Sequence, residues 1–261
     1  MSESIAVTKN AGIATLILNR PDAFNAFDLE MAESFAGNLS TLASDRSVRG
    51  IVLSGSGKAF CAGGDLKWAL SFEQGTAAAF HVLAGRFHLA ITEIRRMGKP
   101  VIAAVNGVAA GGGFSLALAC DFRVMARSAV LRQAYTSSGL CIDGGGTFTL
   151  PRLVGLARAL DIAAFDRPIT AEQALSWGLA TQVVEDEMAL DSAATMAGEF
   201  SQRSLNAFAA AKQLLTDSFD TAFETQLERE REALSACSEH PEGQEGLRAF
   251  SEKRKPRYGP A

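Results

Sequence analysis

Three glycine clusters stand out as places where backbone could approach a reacting group: Gly63-Gly64, Gly111-Gly112-Gly113 and Gly144-Gly145-Gly146, the last directly after Asp143. With no Cβ in the way, a glycine N–H can reach a ligand closely, and glycine adopts turn conformations that other residues resist. One such cluster alone reads as a tight turn. Three in one chain make turns a weaker explanation.

Other chemistries fail on spacing. Gly55-Ser56-Gly57-Lys58 imitates part of a phosphate loop, but Val52 stands where its leading glycine belongs and Ala59 replaces Ser/Thr. No GxGxxG follows a strand, so a Rossmann cofactor is unsupported. Gly113-Phe114-Ser115-Leu116-Ala117 approaches the nucleophile elbow of serine hydrolases, yet about ten residues separate Ser115 from the end of the nearest strand at Val105. The one histidine downstream, His240, lies in a polar tail. His81 and His88 fall seven apart on one helix face, too few for a metal site, and read as surface or loop contacts. The cysteines at 61, 120, 141 and 237 form no CxxC pair and read as reduced thiols, Cys61 as packing.

The elements that must position these loops follow from periodicity. Ile13 to Leu18 is β-rich and ends on the turn signal Asn19-Arg20-Pro21. Asp28 is placed to cap a helix carrying Met31, Phe35, Leu39 and Leu42 on one face. An apolar strand is expected from Val48 to Leu53, a long helix from Thr76 to Met97, and a buried strand from Val101 to Val105. A turn over Gly107 to Gly113, a helix around Phe114 to Ala119 and an extended Arg123 to Val130 follow. Strand, glycine loop and helix thus recur, which favours α/β architecture. Helical patterns cover Leu205 to Leu215 and Phe219 to Leu234, placing a boundary near residue 200: a core over 1–200 and a helical region over 201–261. The apolar residues on those last helices, among them Leu215, Phe219, Phe223 and Leu227, call for a covering surface such as another subunit.

Composition narrows the class. A net charge of −4 offers no field for nucleic acid or an anionic membrane, and 48% apolar with 21% charged residues is globular. The N-terminal MSESIAVTKN lacks the basic start and apolar stretch of a signal peptide, so a cytoplasmic protein is expected. Val101 to Cys120 is apolar enough to suggest a membrane helix, but Pro100, Asn106 and the glycines favour strand, turn and buried helix.

Taken together, Asn19-Arg20-Pro21 with Asn25-Ala26, FCAGGDL at 60–66, PVIAAVNGVAAGGG at 100–113, DGGGT at 143–147 and LPRLVG at 150–155 resemble the crotonase, or enoyl-CoA hydratase/isomerase, superfamily. The match covers essentially the whole chain. It implies a spiral of repeated ββα units with a C-terminal helical region used for trimerisation, as a homotrimer or homohexamer. It implies an acyl-CoA thioester substrate and neither metal nor separate cofactor. Gly64 and Gly112 would donate their N–H groups to the thioester oxygen. The CoA would run past Phe24 and Ala26 and along Ala62, Gly63, Gly64, Asp65 and Leu66.

One departure matters. Hydratases of this family carry two glutamates, and here the resemblance puts Ser115 and Tyr135 at those positions. A hydroxyl and a phenol are poor bases near neutral pH. Asp143 remains, placed like the aspartate of family members that shift double bonds, although an Asp before glycines is also ordinary turn and helix-cap chemistry. The expectation is an isomerase using Asp143, with Ser115 and Tyr135 as substrate-shaping or hydrogen-bonding residues. Hydratase, thioester hydrolase and non-catalytic acyl-CoA binding stay as alternatives. Trp68 and Phe72, after the first glycine loop, are candidates for the acyl pocket wall.

Overall fold

The structure, a computed structural model, describes residues 3–259. It opens with an antiparallel hairpin of β1 (Ile5–Asn10) and β2 (Ile13–Leu18). The chain then reverses through Phe24 and Asn25, both at positive φ (50° and 59°). Asn25 pegs this reversal in place. It is fully buried, its Nδ2 donates to the carbonyls of Ser56 and Ala59, and its Oδ1 accepts the Arg20 N–H. Helix α1 (Leu29–Ser44) starts where Asp28 accepts the Met31 N–H at 2.9 Å, and it buries Met31, Phe35, Leu39 and Leu42 as its spacing requires.

A strand–strand–helix unit then occurs three times. The first is β3 (Gly50–Gly55), β4 (Ala59–Cys61) and the helices α2 (Leu66–Leu70) and α3 (Thr76–Arg96). The second is β5 (Val101–Val105), β6 (Val108–Ala110) and α4 (Gly112–Ala119). The third is β7 (Phe122–Ala126), β8 (Val130–Arg132) and α5 (Gly146–Val154). The rest of the core is α6 (Leu156–Phe165), β9 (Ile169–Thr170), α7 (Ala171–Ser176), β10 (Gln182–Val184) and α8 (Ala189–Ser201).

In each unit the first strand joins a sheet ordered β1-β2-β3-β5-β7-β10 and the second joins a sheet ordered β4-β6-β8-β9. Successive units pair in parallel in both sheets. Parallel strands are covered on both faces, so every residue of β5 is buried and the strand is apolar throughout. This is the expected α/β spiral of ββα units, and it resolves the apolar stretch 101–120 into β5, β6 and α4. Among the described residues no helix is long and apolar enough to cross a membrane. One expectation changes: the turn over 107–113 contains the short strand β6; a strand not foreseen, β1, lies in the N-terminal segment.

The last helices are α9 (Leu205–Asp217), α10 (Phe223–Glu239) and α11 (Pro241–Ser251). They are tied to the core by buried charge. Lys212 Nζ reaches Asp121 Oδ2 at 2.8 Å, and Glu242 accepts from Ser204 Oγ, the Asn206 N–H and Arg49.

Candidate active site

The loop after β4 runs beside residues 24–27 like an added strand. Ala62 N–H donates to Phe24 O, Phe27 N–H to Gly63 O at 2.7 Å, and Asp65 N–H to Phe27 O at 2.8 Å. This tethering aims the loop at the start of α4. Gly63 has φ 100°, and a Cβ on it would lie 2.8 Å from the Gly112 nitrogen, so the two glycine loops meet backbone to backbone. Gly112 is the first residue of α4, whose preceding Gly111 offers no side-chain cap. The N–H groups of Gly64 and Gly112 have no hydrogen-bond partner among the described residues, and both residues line one cavity. Unpaired N–H groups at a helix start form an electropositive end that favours an anion.

Asp65 caps α2 through the Lys67 and Trp68 N–H groups and pairs with Arg20 at 2.9 Å. Burial would raise its pKa, but the Trp68 N–H and the Arg20 guanidinium outweigh that and hold the carboxyl below its ordinary value. Asp65 thus fixes the loop as an anion.

Asp143 sits opposite. Its side chain does not cap α5, whose N-cap is Gly145 without a side-chain bond; Oδ1 instead accepts the Tyr135 hydroxyl and Oδ2 lies 3.6 Å from His88 Nε2. Its backbone is held as firmly. Ser115 Oγ donates to the Asp143 carbonyl at 2.7 Å, as does the Gly146 N–H at 3.0 Å, and the Gly144 N–H donates to His88 Nε2 at 3.2 Å. Gly144 is obligatory here: its φ is 59°, and a Cβ would lie 2.7 Å from Phe87 Cε1. Burial, with the Asp143 charge beside it, pushes the Tyr135 phenol well above its ordinary value, so it stays a donor.

Gly64, Gly112, Tyr135 and Asp143 face a cavity of about 310 Å³ whose apolar walls are Phe27, Phe80, Leu83, Phe87 and Leu140. No arginine or lysine lines it. The arrangement suits one chemistry: backbone donors for a developing oxyanion, and a single carboxylate for a proton.

Comparison with known proteins places the fold in a family. The family model for enoyl-CoA hydratase/isomerase matches residues 8–260. The chain belongs to the enoyl-CoA hydratase/isomerase family. It is 37% identical to the 1,2-epoxyphenylacetyl-CoA isomerase of Escherichia coli strain K12, over 99% of each chain. It is 33% identical to the crotonyl-CoA hydratase of Syntrophomonas wolfei, over 98% of each. Among solved structures, an enoyl-CoA hydratase from Polaromonas sp. JS666 superposes with a TM-score of 0.89 at 36% identity, covering 97% of this chain and 99% of that one.

Within this crotonase fold the expected site residues separate into groups. Gly63, Gly64, Gly112, Tyr135 and Asp143 line the cavity together. Ser115 does not: it is fully buried and its hydroxyl is committed to the Asp143 carbonyl, so it shapes the turn rather than the substrate. Phe24 and Leu66 are exposed outside the cavity, Ala62 lies exposed between them on the loop, and Ala26 is buried with its carbonyl on Arg20. Trp68 and Phe72 pack on each other, with ring centroids 5.1 Å apart, and do not line the cavity. The cavity wall is built mostly from α3, through Phe80, Leu83 and Phe87, with Phe27 and Leu140 beside it; periodicity marked the helix but not which apolar residues face the cavity. His81 lines the cavity and His88 contacts the Asp143 turn, a loop contact as their exposure allows. No cluster able to hold a metal occurs among the described residues. Burial pushes the Cys61 thiol up to about 12, so it is inert packing under the loop.

Proposed function

We propose that this chain isomerises the double bond of an enoyl-CoA thioester, with Asp143 carrying a proton from one carbon of the acyl group to another. One observation carries the reading: Asp143 is the sole carboxylate lining a cavity that also holds the two glycine N–H groups. With a 3-enoyl thioester, Asp143 takes a proton from C2 and the charge moves onto the thioester oxygen, which Gly64 and Gly112 N–H stabilise. A donor of this kind is worth about 3 kcal/mol. The proton returns to C4, leaving the conjugated 2-enoyl product and an unprotonated carboxylate. Hydration in this family is served by two carboxylates that also hold water, and the second position here is a phenol. The CoA would lie along 22–26 and 62–66.

A ring-bearing acyl group is the second reading. It is favoured by the walls Phe27, Phe80 and Phe87 and by the isomerase relative named for an epoxyphenylacetyl thioester.

The chain would work as a trimer or hexamer, since Leu215, Phe219, Phe223, Leu227 and Phe250 all stand exposed on or beside the C-terminal helices. Its four free cysteines fit a reducing compartment, and the cytoplasm is the proposed location.

The test is a panel of 3-enoyl-, 2-enoyl- and cyclic acyl-CoAs, with products identified by mass and absorbance and chelator added in parallel. Unchanged mass with a new conjugated chromophore supports isomerisation. Efficient gain of water by crotonyl-CoA, release of free CoA, or a chelator-sensitive rate overturns it. Light scattering that returns a monomer at micromolar concentration overturns the assembly.

A further inference from the structure

We propose that His88 is a positioning residue for Asp143: unprotonated, its Nε2 holds the turn that carries the carboxylate, and protonated, it releases the turn and pairs with the carboxylate. This rests on the reading of Asp143 as the base.

The geometry decides the protonation state of one atom. Nε2 accepts the Gly144 N–H at 3.2 Å, so in this arrangement it bears a lone pair and the ring proton is on Nδ1. The same Nε2 lies 3.6 Å from Asp143 Oδ2, too far for a hydrogen bond and near enough for an ion pair once the ring is charged. The two contacts exclude each other. A proton on Nε2 turns the acceptor into a donor, breaks the bond to Gly144 and draws the ring toward Oδ2. Oδ1 is already engaged by Tyr135, so a charged His88 leaves neither carboxylate oxygen free to take a substrate proton.

What sets His88 apart from the other titratable groups nearby is its direct contact with the Asp143 turn. The titratable groups on the cavity are His81, earlier on α3, and Tyr135, Cys141 and Asp143 on the facing loop. Tyr135 remains protonated; α1 carries Glu30 and Glu33, of which Glu33 pairs with Arg86, and α2 carries Lys67. His88 is half-exposed and open to protons from solvent. Gly144 cannot absorb the change by moving inward, because Phe87 and Ser115 sit against it.

Two measurements test the proposal. The first is 15N NMR of the full chain labelled at histidine and glycine, assigned with His88→Gln, which needs no turnover. The expected neutral form of His88 carries its proton on Nδ1, and on acidification the Gly144 amide resonance moves together with the His88 ring signals. A neutral His88 protonated on Nε2, or a Gly144 amide indifferent to His88, overturns the proposal. The second is the pH profile of kcat and KM on trans-3-hexenoyl-CoA between about pH 5 and 8, the range in which histidine changes charge. Wild type should lose kcat on the acid side. His88→Gln keeps an acceptor for Gly144 and cannot be protonated, so it should retain at least about half the neutral kcat and lose that acid limb. His88→Ala should lose about tenfold in kcat at neutral pH with KM within about twofold, the size expected for one removed hydrogen bond, and should likewise lack the acid limb. An unchanged acid limb in His88→Gln overturns the proposal. Full turnover by Asp143→Asn overturns the base reading instead, and the NMR result still decides what His88 holds.

Discussion

The Tyr135 hydroxyl donates to Oδ1 of Asp143, eight residues further along the chain, across the mouth of the turn that both residues frame. The resemblance puts Tyr135 where hydratases keep a second carboxylate. A phenol there supplies a hydrogen bond to Asp143 Oδ1 instead of a second carboxylate, and leaves Oδ2 without that donor.

Asp143→Asn should therefore lower turnover about 10²-fold or more while acyl-CoA affinity barely changes, because shape persists and the base is gone. Tyr135→Phe should cost roughly ten- to a hundredfold in kcat, the value of one hydrogen bond to a charged group. Ser115→Ala should cost only a few-fold, since the Asp143 carbonyl keeps the Gly146 N–H. Steady-state kinetics on the three variants checks the order; equal losses would refute it.

The two glycines of the first loop should respond unequally to alanine. At Gly63 the φ of 100° and the 2.8 Å approach to the Gly112 nitrogen leave no room, and Gly63→Ala should displace the loop and abolish turnover. At Gly64 a Cβ would meet only Leu83 Cδ2 at 3.4 Å, so Gly64→Ala should fold with wild-type circular dichroism and melting temperature within a few degrees. Its backbone N–H survives, and a loss in kcat there reports crowding of the acyl group.

Glu242 should anchor the C-terminal helices in a pH-dependent way. Its burial acts to raise the carboxyl, but the Asn206 N–H, Ser204 and Arg49 prevail and lower it below the ordinary 4.5. A depressed folded-state value means the stabilisation is present above pH 4.5 and lost as pH falls through the lower folded value. Glu242→Gln should cost about 1–3 kcal/mol at pH 7 and much less near pH 3, read from urea melts at the two pH values.

Lys212 and Asp121 form the buried tie between α9 and the core, and Asp121 Oδ2 also accepts the Val101 N–H at 2.8 Å. Burial pushes the Asp121 carboxyl above its usual value even with Lys212 beside it. Lys212→Met should thus cost about 3–5 kcal/mol, and adding Asp121→Asn should recover part of it. Thermal melts of the two variants would reject this if the double variant were the less stable.

What the sequence determined by itself was everything set by local physics. The one-sided apolar spacing of α1 and its Asp28 cap, the all-apolar β5, and the length of α3 are properties of consecutive residues, and each element formed where its pattern lies. The glycines of the two cavity loops were legible for a related reason: close approach of backbone to backbone leaves a mark in composition, because it excludes a Cβ. Tertiary structure decided the rest. The strands β1 and β6 carry little periodicity and exist because a neighbouring strand pairs with them. Asp143 reads equally as a helix cap until the fold brings Tyr135, Ser115 and His88 to it from a loop, α4 and α3. Likewise Phe80, Leu83 and Phe87 rather than Trp68 and Phe72 line the cavity. A helix pattern specifies which residues share a face; only packing against α1, α2 and α4 sets how that face is rotated, and so which of its side chains face the cavity.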